Sequence, residues 1–227
     1  MKLLPTQYSK KIEAGTDEAG RGCLAGPVSA AAVIFSENYS NPDLNDSKKL
    51  SEKKRNELRK VIEKEALAFS VVHINNHEID KINILNASIL AMHSAIKKLK
   101  IVPEFILVDG NRFSKYENLQ HKCVISGDSK FQNIAAASIL AKTYRDELMI
   151  KLGKKYPQYN WNKNKGFLWD KSGCKCDCSW FGFKIEVLPN AQFTRTELAA
   201  ELDKNKINKL NSGISPIYEP VSYTHLR

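Results

Sequence analysis

Apolar positions fall in short runs separated by polar turns through most of the chain, and their spacing predicts interleaved strands and helices. Ile12 to Asp17 reads as a short strand that runs into a glycine-rich turn, Gly20-Arg21-Gly22. Pro27 to Phe35 is a nearly unbroken run of small and β-branched residues, the pattern of a buried second strand. Ser51 is placed to cap a helix from Glu52 to about Glu65, with Leu58, Val61 and Ile62 on its inner face. Phe69 to Ile74 is a further strand. Leu85, Ile89, Met92, Ile96 and Leu99 recur at spacings of four and three, which predicts an amphipathic helix. Phe105 to Val108 is a buried strand that stops at Asp109-Gly110, and Cys123 to Ile125 a shorter one. The longest helical signal runs from about Asn133 to Leu152. Ala135, Ala136 and Ala137 make its first turn slim enough to pack close to a sheet, and Gly153, with Pro157 beyond it, is expected to end it.

Strands interleaved with helices imply a mixed α/β layer architecture. After Gly166 the pattern dissolves. Leu168 to Phe183 mixes two Trp, two Phe and three Cys without periodicity. Leu198 to Leu210 suits a charged helix, and Asn211 to Arg227 a disordered end. The expected organisation is one catalytic domain over residues 1–167 and a divergent, partly disordered segment over 168–227.

Charge then narrows the partners. The chain carries 35 Lys and Arg against 25 Asp and Glu, a formal net charge of +10, which favours polyanions and puts nucleic acid first. Five cysteines, with Cys23 and Cys123 far apart, suit reduced thiols in a cytoplasm better than a disulfide framework. Met1 to Ile12 lacks the apolar core of a signal peptide, and no stretch is long and apolar enough for a membrane span. The expectation is a cytoplasmic monomer without membrane contact.

Four carboxylates carry the candidate chemistry. Asp17 and Glu18 end the first strand, and Asp109 ends a second buried strand. Asp146 lies within the alanine-rich helix on the face of Ile139 and Thr143. Burying such groups is costly unless their charge is compensated, and a pair of divalent cations is the usual remedy. Two hard cations roughly 4 Å apart stabilise both the attacking and the leaving oxygen in phosphodiester hydrolysis. Oxygen-only ligands suit Mg²⁺ or Mn²⁺ rather than Zn²⁺. Taken singly, an Asp at a strand end or in a helix is more often a cap or a surface charge than a metal ligand. Cys174, Cys176 and Cys178 are spaced too tightly for an ordinary thiolate site. His73 and His77 would share a face if their stretch were helical, but no Glu completes a zinc-protease pattern between them.

Five sequence blocks, in order, resemble the ribonuclease HII family. Gly15-Thr16-Asp17-Glu18-Ala19-Gly20-Arg21-Gly22 opens the set, followed by Asp46-Ser47-Lys48-Lys49-Leu50-Ser51 and Val108-Asp109-Gly110-Asn111. Gly127-Asp128-Ser129 with Ile134 to Lys142 and Arg145-Asp146 forms the fourth, and Tyr156-Pro157 with Asn164-Lys165-Gly166 the fifth. The resemblance implies a ribonuclease H-like mixed sheet flanked by helices, and two divalent metals, Mg²⁺ or Mn²⁺, held by Asp17, Glu18, Asp109 and Asp146. It implies an endonuclease that cuts RNA–DNA hybrids 5′ to a ribonucleotide, including one embedded in DNA, leaving a 3′-hydroxyl and a 5′-phosphate. Gly20, Arg21 and Gly22 would read the ribose 2′-hydroxyl through the backbone, and Ser47, Lys48 and Lys142 would contact phosphates.

The pattern breaks at Phe167, where the family has a tyrosine that packs on the sugar; the ring face is kept and the hydroxyl lost. Beyond it the chain no longer follows the family and reads as a shifted frame. The alternative reading is therefore a hybrid-binding module with little turnover because its C-terminal part is altered.

Overall fold

A computed structural model of the chain describes Tyr8 and residues 11–167. The expectations for Cys174, Cys176, Cys178 and the rest of 168–227 lie outside the described residues. The chain forms two compact units, one running through Arg21 and then Pro27–Leu148, the other taking Gly22–Gly26 and continuing from Met149.

The first unit holds a five-stranded sheet in the order β3-β2-β1-β4-β5. Its strands are β1 (Glu13–Ala19), β2 (Val28–Ile34), β3 (Ala68–Ile74), β4 (Phe105–Asp109) and β5 (Gln120–Val124). β1 pairs antiparallel with β2, and β2 with β3, whereas β1–β4 and β4–β5 are parallel. The central strands are buried on both faces, which explains the near-continuous apolar runs in their sequence. On one face Ala30, Ala32, Ile106 and Val108 pack against α2 (Asn76–Lys97). On the other, Ala31 and Val33 meet Leu58 and Ile62 of α1 (Glu52–Glu65) and Ala135 to Ala141 of α3 (Gln132–Lys155).

Local signals explain most element ends. The Ser51 side chain accepts from Lys54 N and starts α1 where the sequence places it. α2 begins nine residues before Leu85, because Asn75 caps it by accepting from Glu78 N. It kinks at Asn83 (φ 67°), whose side chain accepts from Asn86 N and so caps the second segment. Its buried row is Ala87, Ala91 and Ala95 with Met92 and Ile96, rather than the larger Leu85 and Ile89, because small residues let the helix approach the sheet. His73 lies on β3, its Nδ1 2.7 Å from Ser29 Oγ, and His77 sits at the start of α2, so the two share no helical face.

Gly153 does not end α3. It lies inside the helix, in the second unit, where a Cβ would come within 2.5 Å of Asn162 N. The glycine serves close approach rather than termination. In the same unit α4 (Trp161–Asn164) buries Trp161 against Ala25 and Met149, and Gly166 C=O accepts from Leu24 N (2.9 Å) and Ala25 N (3.2 Å).

One contact fixes α3 on the sheet. At Gly15, in the middle of β1, a Cβ would stand 2.6 Å from Ile134 N and closer still to Asn133. Asn133 Nδ2 donates to Glu13 C=O (3.2 Å) beside it. Because the neighbours are backbone and cannot rotate away, Gly15→Ala is expected to lower unfolding free energy by about 2 kcal/mol or more. Denaturant titration measures it; an unchanged midpoint would mean that α3 does not lie this close to β1.

Candidate active site

Parallel pairing of β1 with β4 brings the first two carboxylates together. Thr16 pairs with Val108, so Asp17 and Asp109 are the next residues on neighbouring strands that end on the same side of the sheet. Gly15 faces α3 and pairs with Leu107, so two residues on, both acids point to the α3 face. Glu18 follows at the strand end. Asp17 is 5% exposed, a depth at which an unbalanced charge is expensive.

Each carboxylate is oriented from the main chain or by a neighbouring cation. Asp17 Oδ1 accepts from Glu18 N (2.7 Å), and Asp109 Oδ1 accepts from Gly127 N (2.7 Å). Arg21 donates to Glu18 Oε1 at 2.9 Å. The Asp17 carboxyl is held well above the usual carboxylate range, first by burial, then by the charges of Glu18 and Asp109; a hydrogen bond from Ser138 works the other way. Glu18 is raised too, chiefly by burial, with Arg21 opposing and Asp109 adding to the shift. Asp17, Glu18 and Asp109 thus act on one another as a charge cluster.

Asp146 is placed differently. It is buried, but its salt bridge runs to Lys142 one turn earlier on α3, and the main charges acting on Asp17 and Glu18 do not include it. The carboxylate that the fold brings up to Asp109 is Asp128, in the short turn Gly127–Ser129. Its carboxyl is pushed up to about 6, by burial first, then by Asp109 and Asp46, and it shares a hydrogen bond with Asp46. Asp128 belongs to no strand end or helix face, and its only mark in the sequence is its place beside Gly127 in the fourth block.

The remaining candidates divide by exposure. Arg21, Gly22 and Lys48 are exposed. Ser47 is buried, with its Oγ 2.9 Å from Ser138 Oγ, so its hydroxyl faces the core instead of solvent. Lys142 is occupied by Asp146, and burial lowers its pKa. Phe167, in the second unit, is 41% exposed. A cavity of about 280 Å³ lies elsewhere in the first unit, lined by Glu13, Phe35, Glu104 and Asn133, and includes none of these carboxylates.

The family model for ribonuclease HII matches residues 14–178. The chain is similar to ribonuclease HII of Parabacteroides distasonis, 61% identical over 165 residues, covering 73% of this chain and 83% of that protein. Ribonuclease HII of Christiangramia forsetii is 60% identical, covering 70% and 81%. The chain belongs to the ribonuclease HII family. It is a ribonuclease H, an endonuclease acting on RNA–DNA hybrids. Among solved structures, ribonuclease H2 from Pyrococcus horikoshii superposes with a TM-score of 0.62 at 25% identity, over 85% of this chain and 97% of that one. The mixed sheet flanked by helices is the ribonuclease H-like fold.

No three acidic, His or Cys side chains among the described residues are gathered closely enough to enclose an ion as they stand. The donor set nevertheless fits a hard cation: oxygen ligands only, two of them kept hard to ionise by burial and mutual repulsion. Without metal, that repulsion sets a pH dependence. Asp17, Glu18 and Asp128 titrate above the value near 4 of unfolded carboxyls, so in the intervening window the native chain holds more protons. Native stability therefore falls as pH rises through that window. We expect the melting temperature of chelator-treated protein to decline from pH 4 to pH 7. Asp17→Asn should flatten the decline and raise the neutral-pH value by roughly 2–5 °C, read by scanning fluorimetry; a lower value would contradict the charge cluster.

Proposed function

We propose that the chain hydrolyses the phosphodiester 5′ to a ribonucleotide, including a single one embedded in duplex DNA, leaving a 3′-hydroxyl and a 5′-phosphate. The observation that carries this reading is the side-by-side placement of Asp17 and Asp109 on the neighbouring central strands β1 and β4, with Glu18 next to them and the three charges repelling one another. Those three, with Asp128 beside them, would hold two divalent cations, Mg²⁺ or Mn²⁺. Bound there, the cations supply the Lewis acidity that phosphodiester hydrolysis needs.

The protein's own groups do the rest. The amides of Glu18 and Gly127 orient the Asp17 and Asp109 carboxylates, and Ser138 adds a hydrogen bond to Asp17. Gly20, Arg21 and Gly22 present backbone to the ribose 2′-hydroxyl, the group that separates RNA from DNA. Lys48 supplies a phosphate contact at the surface, which positions the duplex without reading sequence. The buried Ser47 hydroxyl acts through Ser138 to steady the same loop. Asp146 holds Lys142, so its effect on substrate passes through that lysine. Phe167 offers a ring face to the sugar. The substrate is RNA–DNA hybrid or DNA with embedded ribonucleotides, and the chain works as a monomer in the cytoplasm.

A duplex with one ribonucleotide, incubated with Mg²⁺ beside an all-DNA control, tests the reaction: one nick 5′ to the ribonucleotide is expected, with ends mapped by ligation and phosphatase treatment. Binding without a nick would favour the non-catalytic alternative. Asp17→Asn and Asp109→Asn should each lower turnover by roughly 100-fold or more while duplex binding survives. Asp128→Asn should cost more turnover than Asp146→Asn. The reverse order would restore Asp146 to the metal-binding set.

A further inference from the structure

Arg145 is the largest side chain fully buried in the described residues, 1% exposed. Arginine is rarely buried without a task that its geometry performs. Here the side chain leaves α3 and donates from Nε to the carbonyl of Pro27 at 2.9 Å. Its stem passes directly under Gly20. A Cβ on that glycine would stand 2.8 Å from Arg145 Cδ and 2.8 Å from Pro27 O, and nearer still to Arg145 Nε. Gly20 has φ +99°, a conformation that side chains disfavour, so both backbone path and space demand glycine.

These contacts lie at the neck of one loop. β1 ends at Ala19 and β2 begins at Val28, so the chain leaves the sheet at Gly20 and returns at Pro27. Arg145 touches both ends. Past the neck, Arg21 and Gly22 are exposed, and a Cβ at Gly22 would meet nothing within 4 Å. Arg145 thus sets the turn at its base, while further along Cys23 and Ala25 are buried and Leu24 N and Ala25 N donate to Gly166 C=O.

We propose that Arg145 is a positioning residue for ribonucleotide recognition: from the core it pins the neck of the loop, and so fixes the backbone of the Gly20-Arg21-Gly22 turn before substrate arrives. This rests on the reading of that turn as the 2′-hydroxyl contact. A donor fixed in advance discriminates better than one that must be ordered on binding. The lever tested is the Nε–H to Pro27 bond, which ties α3 to the point where the chain returns to β2.

Two substitutions isolate the bond. Arg145→Gln places an amide nitrogen where Nε lies, and Arg145→Met places a methyl there; both remove the guanidinium. The readout is the ratio of affinities for a duplex with one ribonucleotide over the all-DNA duplex, measured in Ca²⁺ so that binding is read without turnover. Any unfolded fraction cancels in the ratio. Arg145→Met should lower the ratio on the order of tenfold, the worth of one hydrogen bond, with all-DNA affinity unchanged. Arg145→Gln should keep it within about threefold of the unaltered protein. If Arg145→Met keeps the ratio, or both variants lose it equally, the inference is overturned. Gly22→Ala separates the two levels. If it keeps the ratio, the reading of the turn fails and the inference with it; if it loses the ratio while Arg145→Met does not, only the role of Arg145 fails.

Discussion

Like charges held side by side at the end of a buried sheet are the constraint around which the rest of this protein is arranged. Parallel pairing of β1 and β4 makes the juxtaposition of Asp17 and Asp109 unavoidable, because each directly follows the paired residues Thr16 and Val108. Hydrogen bonds from Ser138 and Gly127 and the Arg21 ion pair relieve it only in part. Burial raises the cost of each charge, and Glu18 and Asp128 add to it. A fold that keeps such a cluster gives up stability in the metal-free state in return for a ready seat for cations.

α3 is the element that manages the cluster. Asn133 crosses Gly15 at backbone distance, which sets the helix close to β1. One and a half turns on, Ser138 meets both Ser47 and Asp17, linking a surface loop to a buried acid. A further turn brings Lys142 and Asp146 into an ion pair, and Arg145 reaches the neck of the glycine-rich loop from another face of the helix. The alanines between these residues pack against Ala31 and Val33 of β2, and their small size lets the helix lie close to the sheet. One helix thus carries the residues that meet Asp17, the Ser47 loop and Gly20.

Much of this was legible in the chain. Strand and helix periods placed most elements to within a few residues, because buried strands and amphipathic helices impose different spacings on apolar residues; α2, started early by the Asn75 cap, is the exception. Two other misplaced features share one cause. Gly153 reads as a helix stop, yet it faces Asn162; Leu85 and Ile89 read as the inner row, yet Ala87, Ala91 and Ala95 hold it. In each case a small residue marks close approach to a partner far away in sequence, and local pattern assigns it to the nearest local role.

By itself the sequence determined which residues can do chemistry here: acids at strand ends, a glycine-rich turn, and a basic surface for a polyanion. Those follow from side-chain type and short-range spacing. Which acids meet was decided only by the tertiary structure. Asp128 stands in a turn and Asp146 on a helix, and both are buried acids of the same block. The fold turns the first toward Asp109 and gives the second to Lys142. It likewise sends the Ser47 hydroxyl inward and threads Arg145 beneath Gly20. Spacing along one chain carries no information about such meetings, since each joins segments whose separation in space is set by strand order and by how closely α3 lies on the sheet.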